Sequence, residues 1–261
     1  MDDLLSRADG PAWRLTLNRP ARRNALTPEL AHRVAAEIER VGVDGSARVI
    51  VLEGAGGHFC AGLDLRWLET LGATPARDDI RLGLQRFQSA ILAIVRAPLP
   101  IVAAVRGTAA GFGVDLAVAC DMRLAGASAS FTSAFSRMGL VPDGGSTYGL
   151  PRLIGDGAAL RFLLASETVN AQAALRWGLV DEVVDDGELE VRISVLADAL
   201  AANAAGSISS IKRLCRAEEQ AGLARALEAE SEAQIDAFLS PEFQRRLALF
   251  LARSARDQGA R

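Results

Sequence analysis

Two short apolar segments, Val49–Leu52 and Ile101–Val105, each run into a glycine-containing loop and then toward the start of a helix. This repeated unit constrains the fold more than any other feature. A continuous apolar run of strand length suits a strand buried on both faces, as in a parallel sheet covered by helices. The first loop is Gly54–Ala55–Gly56–Gly57 followed by Phe59–Cys60–Ala61–Gly62–Leu63–Asp64; the second is Gly107–Thr108–Ala109–Ala110–Gly111–Phe112–Gly113. N–H groups at such loops and at helix starts lack intrahelical acceptors and attract negative charge. Two of them converging on one point make an oxyanion hole. Tight turns and close strand–helix packing account for either loop alone; the repetition of the setting points to a shared site.

Around these loops the chain reads as strand-rich first and helix-rich later. Trp13–Leu17 alternates as a strand, and Asn18–Arg19–Pro20 turns. Thr27 is an N-cap with Pro28 at the first helical position and Glu29 in the first turn, followed by Leu30, Val34, Ile38 and Val41 at helical spacing. A helix is predicted from about Asp79 to Arg96, then a helix start over Asp115–Ala119 and a strand over Met122–Ala125. Residues 139–149 read as a third loop. Asn170 caps a helix over Ala171–Trp177 that Gly178 stops. Val180–Val184 is a brief apolar segment, and helices follow over Leu189–Ala205, Ile208–Ala221, Ala224–Phe238 and Phe243–Ala255. The expected class is α/β: a βα core with a helical C-terminal part.

Other chemistries find little support. Gly111–Phe112–Gly113 begins a dinucleotide fingerprint, but Leu116 stands where its third glycine belongs. No lysine follows a glycine run as a phosphate-cradling loop requires. Gly144–Gly145–Ser146–Thr147–Tyr148 misses a nucleophile elbow at Tyr148, and the two histidines, His32 and His58, both precede it. The cysteines Cys60, Cys120 and Cys215 have no metal-like spacing, so no metal is expected. A net charge of −3 gives no general pull toward nucleic acid or membrane, and no stretch is apolar enough to span a bilayer. The acidic start Met1–Asp2–Asp3 has no apolar signal core, so a cytoplasmic location is expected.

Taken together the segments resemble the enoyl-CoA hydratase/isomerase (crotonase) superfamily over nearly the whole chain. The resemblance is carried by Asn18–Arg19–Pro20 with Asn24–Ala25–Leu26, by the two glycine loops, by Leu116–Ala117 and Cys120–Asp121, and by Gly139–Leu140–Val141–Pro142–Asp143–Gly144–Gly145. Ala173–Ala174, Trp177–Gly178–Leu179–Val180 and Ala248–Leu249–Phe250–Leu251 complete it. It implies a crotonase-like ββα spiral core over residues 1–195 and a helical C-terminal trimerisation region over 196–261, in a homotrimer or a hexamer of paired trimers. It also implies an acyl-CoA thioester as substrate, with coenzyme A part of that substrate and no separate cofactor.

The resemblance assigns roles residue by residue. The oxyanion-hole donors are the N–H groups of Leu63 and Phe112. Phe112 replaces the glycine usual there, which implies a negative φ, because a bulky residue at positive φ is strained. Typical hydratases carry glutamates at the positions of Asp115 and Phe135, so that pair is broken here. Asp143 matches a catalytic aspartate of several relatives. Among them are isomerases of the phenylacetate pathway, which Ala134–Asp143 and Leu150–Pro151–Arg152 resemble locally. In such an isomerase one carboxylate takes a proton from the α-carbon of the thioester and returns it to the γ-carbon. Asp115 is an assisting group or a helix cap. Arg22, Arg23, Ala25, Ala61, Asp64 and Arg253 match CoA-binding positions, and Trp67, Leu68, Phe87 and Phe135 line the acyl pocket or pack the core. The preferred activity is double-bond isomerisation of an enoyl-CoA. A 2-enoyl-CoA hydratase of the fatty-acid β-oxidation type and a non-catalytic acyl-CoA-binding paralogue are the alternatives.

Overall fold

The computed structural model describes residues 2–70 and 75–259, with side chains described except at 69 and from 253 onward. A six-stranded sheet has the order β1-β2-β3-β4-β6-β9: β1 (Leu4–Asp9), β2 (Ala12–Leu17), β3 (Val49–Gly54), β4 (Ile101–Val105), β6 (Met122–Gly126) and β9 (Glu182–Val184). Only β1 runs antiparallel to its neighbour. A second sheet joins β5 (Thr108–Ala110), β7 (Ser130–Thr132) and β8 (Thr168–Asn170). β4 passes into β5 and then into helix α4 (Phe112–Ala119), and β6 passes into β7 in the same way. The chain thus climbs in strand–strand–helix turns.

The two apolar runs are β3 and β4. They are parallel neighbours, with Ile50 opposite Ile101 and Leu52 opposite Ala103. Parallel neighbours end on the same edge, so both glycine loops leave the sheet side by side. One face of the sheet is covered by α1 (Pro28–Asp44) and α3 (Arg77–Arg96), with the short α2 (Trp67–Thr70) between them in sequence. α1 begins as expected: the Leu30 N–H donates to the Thr27 hydroxyl at 3.3 Å, Pro28 takes the first position, and Leu30, Val34, Ile38 and Val41 are buried.

Beyond β7 come α5 (Phe135–Met138), α6 (Ser146–Ile154), α7 (Asp156–Ala165) and α8 (Ala171–Trp177). α8 has its foreseen Asn170 cap, with the Ala173 N–H donating to Oδ1 at 2.9 Å, and Gly178 follows it at φ 79°. Three expectations need correction. The loop over 139–149 ends at Gly145, and α6 follows; Gly149 lies inside that helix, where an added Cβ would lie 2.7 Å from a methyl of Val118. This glycine serves helix packing, which looks like loop chemistry in a sequence. α4 begins at Phe112, three residues early, so Asp115 sits in its first turn and caps nothing. The later helices are α9 (Leu189–Ala201), α10 (Ala205–Cys215), α11 (Ala217–Leu239) and α12 (Pro241–Gly259), with breaks that differ from those expected at 206–207 and 222–223. α7 and the three-residue strands were not foreseen; three residues are too few to show alternation.

α9 lays Leu189, Ile193 and Ala197 against Val49, Val51, Val102 and Leu124 on the other sheet face. α11 packs on α3 and α6, which brings it against the turn at Asp143. Among the described residues no single helix is long and apolar enough to cross a membrane.

Candidate active site

The first loop is held from behind by Asn24, which is fully buried in a left-handed conformation (φ 57°). Its Oδ1 accepts from the Arg19 N–H at 2.9 Å, and its Nδ2 donates to the carbonyls of Ala55 (2.9 Å) and His58 (2.6 Å). Arg19 adds an ion pair to Asp64 at 2.9 Å. The Leu26 N–H donates to Gly62 O and the Asp64 N–H to Leu26 O, both at 2.8 Å. The Leu63 N–H lies between those two bonds and takes no part in either. Asn24→Ala removes three buried hydrogen bonds at once and is expected to cost about 2–4 kcal/mol, read as a lower urea midpoint at unchanged m-value. An unchanged midpoint would contradict this role.

The second loop meets the first at Gly62. Gly62 has φ 87°, and a Cβ there would lie 2.6 Å from Ala110 O and 3.1 Å from the Phe112 nitrogen. Phe112 opens α4 after Gly111 (φ 51°), and Phe112 itself keeps a negative φ, as its bulk requires. Among the described residues neither the Leu63 nor the Phe112 N–H has an acceptor within the chain. The two expected donors therefore sit on neighbouring loops, both free to bind a ligand oxygen.

The acidic residues lie next to this junction. Asp115 is 1% exposed and Asp143 is 5% exposed. Gly144 presses on the first turn of α4, where an added Cβ would lie 2.6 Å from Asp115 Oδ2 and 2.8 Å from the Phe112 ring. Asp115 Oδ1 accepts from the Ser146 hydroxyl, and Asp143 Oδ2 accepts from Gln234 Nε2 at 3.0 Å. The other oxygen of each carboxyl, Asp115 Oδ2 and Asp143 Oδ1, is buried without a partner. Burial pushes the Asp143 carboxyl up to about 7; the Gln234 hydrogen bond opposes the rise and the Glu230 charge adds to it. Burial, followed by the nearby Asp143 charge, holds Asp115 well above the usual carboxylate range. A carboxyl that titrates near neutrality can take a proton and give it back. Cys60, also buried here, is no nucleophile, because burial pushes its thiol up to about 12.

These features lie within residues 11–257, which match the family model described as enoyl-CoA hydratase/isomerase. The chain belongs to the enoyl-CoA hydratase/isomerase family. Relatives within the family bear both kinds of name. The chain is 34% identical over 256 residues to the 1,2-epoxyphenylacetyl-CoA isomerase of Escherichia coli (strain K12), covering 97% of each chain. It is also 34% identical over 240 residues to enoyl-CoA hydratase EchA19 of Mycobacterium tuberculosis (strain ATCC 25618 / H37Rv), covering 92% of this chain and 90% of that one. The crystal structure of an enoyl-CoA hydratase/isomerase from Xanthobacter autotrophicus Py2 superposes with a TM-score of 0.90 at 28% identity, covering 99% of this chain and 96% of that one. The fold is the crotonase-like α/β one that the motifs implied, with a helical C-terminal region.

The remaining family-matched positions fall in two groups. Arg22 is half-buried, Arg23 is exposed and Ala25 is buried; the Ala61 N–H donates to Arg23 O at 2.9 Å, so the 22–25 and 61–64 segments run together. The Asp64 carboxylate is engaged inside the chain by Arg19 and by the Arg66 N–H. Arg253 lies outside the described side chains. Trp67, Phe87 and Phe112 form a chain of edge-to-face rings, with centroids 6.4 and 4.9 Å apart. Leu68 and Phe135 belong to an apolar cluster with Leu140 and Phe238, and a Cβ added at Gly111 would lie 3.9 Å from the Phe135 ring. Four residues of the site escaped the sequence reading: Gln88 of α3, and Glu230, Ser231 and Gln234 of α11. All are buried polar groups around the Asp143 turn. The available signal was polar residues on the α11 stripe that also carries Leu223, Leu227 and Phe238.

Proposed function

We propose that this chain isomerises a carbon–carbon double bond of an enoyl-CoA thioester. The Leu63 and Phe112 N–H groups hold the thioester oxygen and stabilise the enolate. Asp143 takes a proton from the α-carbon of a 3-enoyl-CoA, and the dienolate receives it back at the γ-carbon, giving the conjugated 2-enoyl-CoA. Coenzyme A belongs to the substrate, and the reaction needs no other cofactor. The observation that carries this reading is the buried Asp143 carboxyl, with one oxygen free, beside the two open N–H donors. Phe135 leaves the other acidic position of a hydratase without a carboxylate. The reading includes a homotrimer or paired trimers; exposed Leu160 and Leu164 of α7 and Ile211 and Leu214 of α10 offer apolar surface for such an assembly. Purified protein given a 3-enoyl-CoA is expected to generate the absorbance of the conjugated thioester, and its absence across chain lengths would refute the proposal.

A hydratase is the second reading, favoured by one observation: Asp115 Oδ2 is also buried and unpartnered next to Asp143. The two readings part at Asp115. Under isomerisation Asp115 is a neighbour held by Ser146 that exchanges no proton with the substrate, so Asp115→Asn keeps the rate within about tenfold. Under hydration Asp115 handles water, and the same variant stops the loss of enone absorbance from crotonyl-CoA. Calorimetric acyl-CoA binding with no turnover of either substrate would instead favour a binding paralogue.

A further inference from the structure

The segment that carries Asp143 makes few backbone hydrogen bonds of its own. The Val141 N–H donates to Gln234 Oε1 at 3.0 Å, the Gly145 N–H to Glu230 Oε2 at 2.7 Å and the Thr147 N–H to Glu230 Oε1 at 3.0 Å. The Thr147 hydroxyl also donates to Glu230 Oε1. On the third side Gln88 Nε2 donates to Asp143 O at 3.2 Å, to Leu227 O at 3.1 Å and to Ser231 Oγ at 2.8 Å. The shape of the turn is therefore imposed by side chains, chiefly from α11. Buried glutamine and glutamate on an apolar stripe carry a desolvation cost, and here the bonds of Glu230 and Gln234 land on one short segment, residues 141–147. Gln234 does two things with one amide: its oxygen holds the backbone two residues before Asp143, and its nitrogen holds Asp143 Oδ2. That leaves Oδ1 as the only oxygen of Asp143 without a partner.

We propose that α11 supplies two positioning residues to the reaction: Gln234 fixes Asp143 through Oδ2 and so makes Oδ1 the oxygen that carries the proton, while Glu230 clamps the turn on the far side of Gly144. The inference rests on the reading of Asp143 as the proton carrier. The titratable groups facing Asp143 are Asp115 from α4 and Glu230 from α11; Gln88 from α3 and Gln234 are neutral. The Gln234 N–H favours the ionised form of Asp143, while burial and the Glu230 charge disfavour it.

The test is a pH series of kcat and KM for 3-enoyl-CoA isomerisation by the full-length protein, with Gln234→Met, Gln234→Glu and Asp143→Asn beside the wild type. Gln234→Met keeps the volume and loses both bonds. Its kcat is expected to fall about 10- to 100-fold through misplacement of the acid, with KM within about threefold because ground-state binding is untouched. The acidic limb of its pH profile moves upward, because the donor to ionised Asp143 is gone. Gln234→Glu retains an acceptor for the Val141 N–H, so the turn keeps its hold. It sets an acceptor against Oδ2, and the limb moves up further. This variant carries the test if Gln234→Met lacks a cooperative unfolding transition. Wild-type kcat and limb position in the folded Gln234 variants, with Asp143→Asn inactive, would overturn the positioning role and leave Asp143 in place. So would a variant that is only less stable, with the wild-type limb. An active Asp143→Asn would overturn the underlying reading itself.

Discussion

Asp143→Asn is expected to abolish isomerisation and, at neutral pH, to make the protein harder to unfold. The first effect follows from chemistry. Asparagine fills the same space and can still accept from Gln234, but it cannot take a proton. Removing a positioned general acid–base lowers kcat by about a hundredfold to ten-thousandfold. The second effect follows from where the proton sits. Burial lifts the Asp143 carboxyl from an ordinary 3.8 to about 7 in the folded chain. Below about pH 4 the group is protonated in both states and costs nothing. Between about pH 4 and 7 the unfolded chain releases its proton while the folded chain keeps it, so stability falls as pH rises through this window. Above about 7 the whole penalty is present, on the order of 2–4 kcal/mol. Asparagine carries no such penalty. Urea unfolding should give closely similar midpoints for wild type and variant at pH 4 and a higher midpoint for the variant at pH 7.5. An equal difference at both values would mean that titration of Asp143 is not its source. A variant active above a tenth of the wild-type rate would remove Asp143 from the chemistry.

This opposition between stability and function has a plain cause. A carboxyl can shuttle a proton at neutral pH only if its ionised form is made less comfortable than it is in water. Here Asp115 and Glu230 share the same buried region, and both are themselves raised, chiefly by burial. The bonds from α11 hold the turn in place despite that repulsion.

How much of this was legible beforehand depended on how local the signal was. α1 was readable to its first residue, because a Thr27 cap, Pro28 and a regular apolar stripe are properties of neighbouring residues. The strands β3 and β4 were readable as apolar runs, and their parallel adjacency explains why two similar loops meet at one place. The strands of the second sheet were not, because Thr108–Ala110, Ser130–Thr132 and Thr168–Asn170 owe their form to pairing with each other. Gly149 misled, because its missing side chain serves contact with Val118 rather than a turn. The largest gap was α11. Glu230 and Gln234 lie more than eighty residues from the turn they hold, and only the packing of α11 on α3 and α6 brings them there.

Gly62→Ala is expected to damage catalysis far more than a single methyl group suggests, and Gly57→Ala gives the control. Both glycines belong to the first loop region and both have left-handed φ, 87° at Gly62 and 79° at Gly57. Alanine in that conformation carries a strain of about 1–3 kcal/mol at either site. The surroundings differ. A Cβ at Gly57 meets nothing within 4 Å, whereas one at Gly62 would lie 2.6 Å from the backbone oxygen of Ala110 and 3.1 Å from the nitrogen of Phe112. Neither neighbour is the end of a flexible side chain, so the two loops must move apart. One of those neighbours, the Phe112 nitrogen, is a proposed oxyanion donor, and the other donor, the Leu63 N–H, follows Gly62 directly in the chain. Loss of one such donor costs about a hundredfold to a thousandfold in kcat. Gly62→Ala is therefore expected to lose activity on that scale, while Gly57→Ala, destabilised by a similar strain, keeps a kcat within about threefold of wild type because the donors stay in place. Melting curves establish that both variants are folded at the assay temperature. Equal kcat losses in the two variants would trace the damage to backbone strain alone, and the paired N–H groups of Leu63 and Phe112 would no longer be the reason that these loops meet.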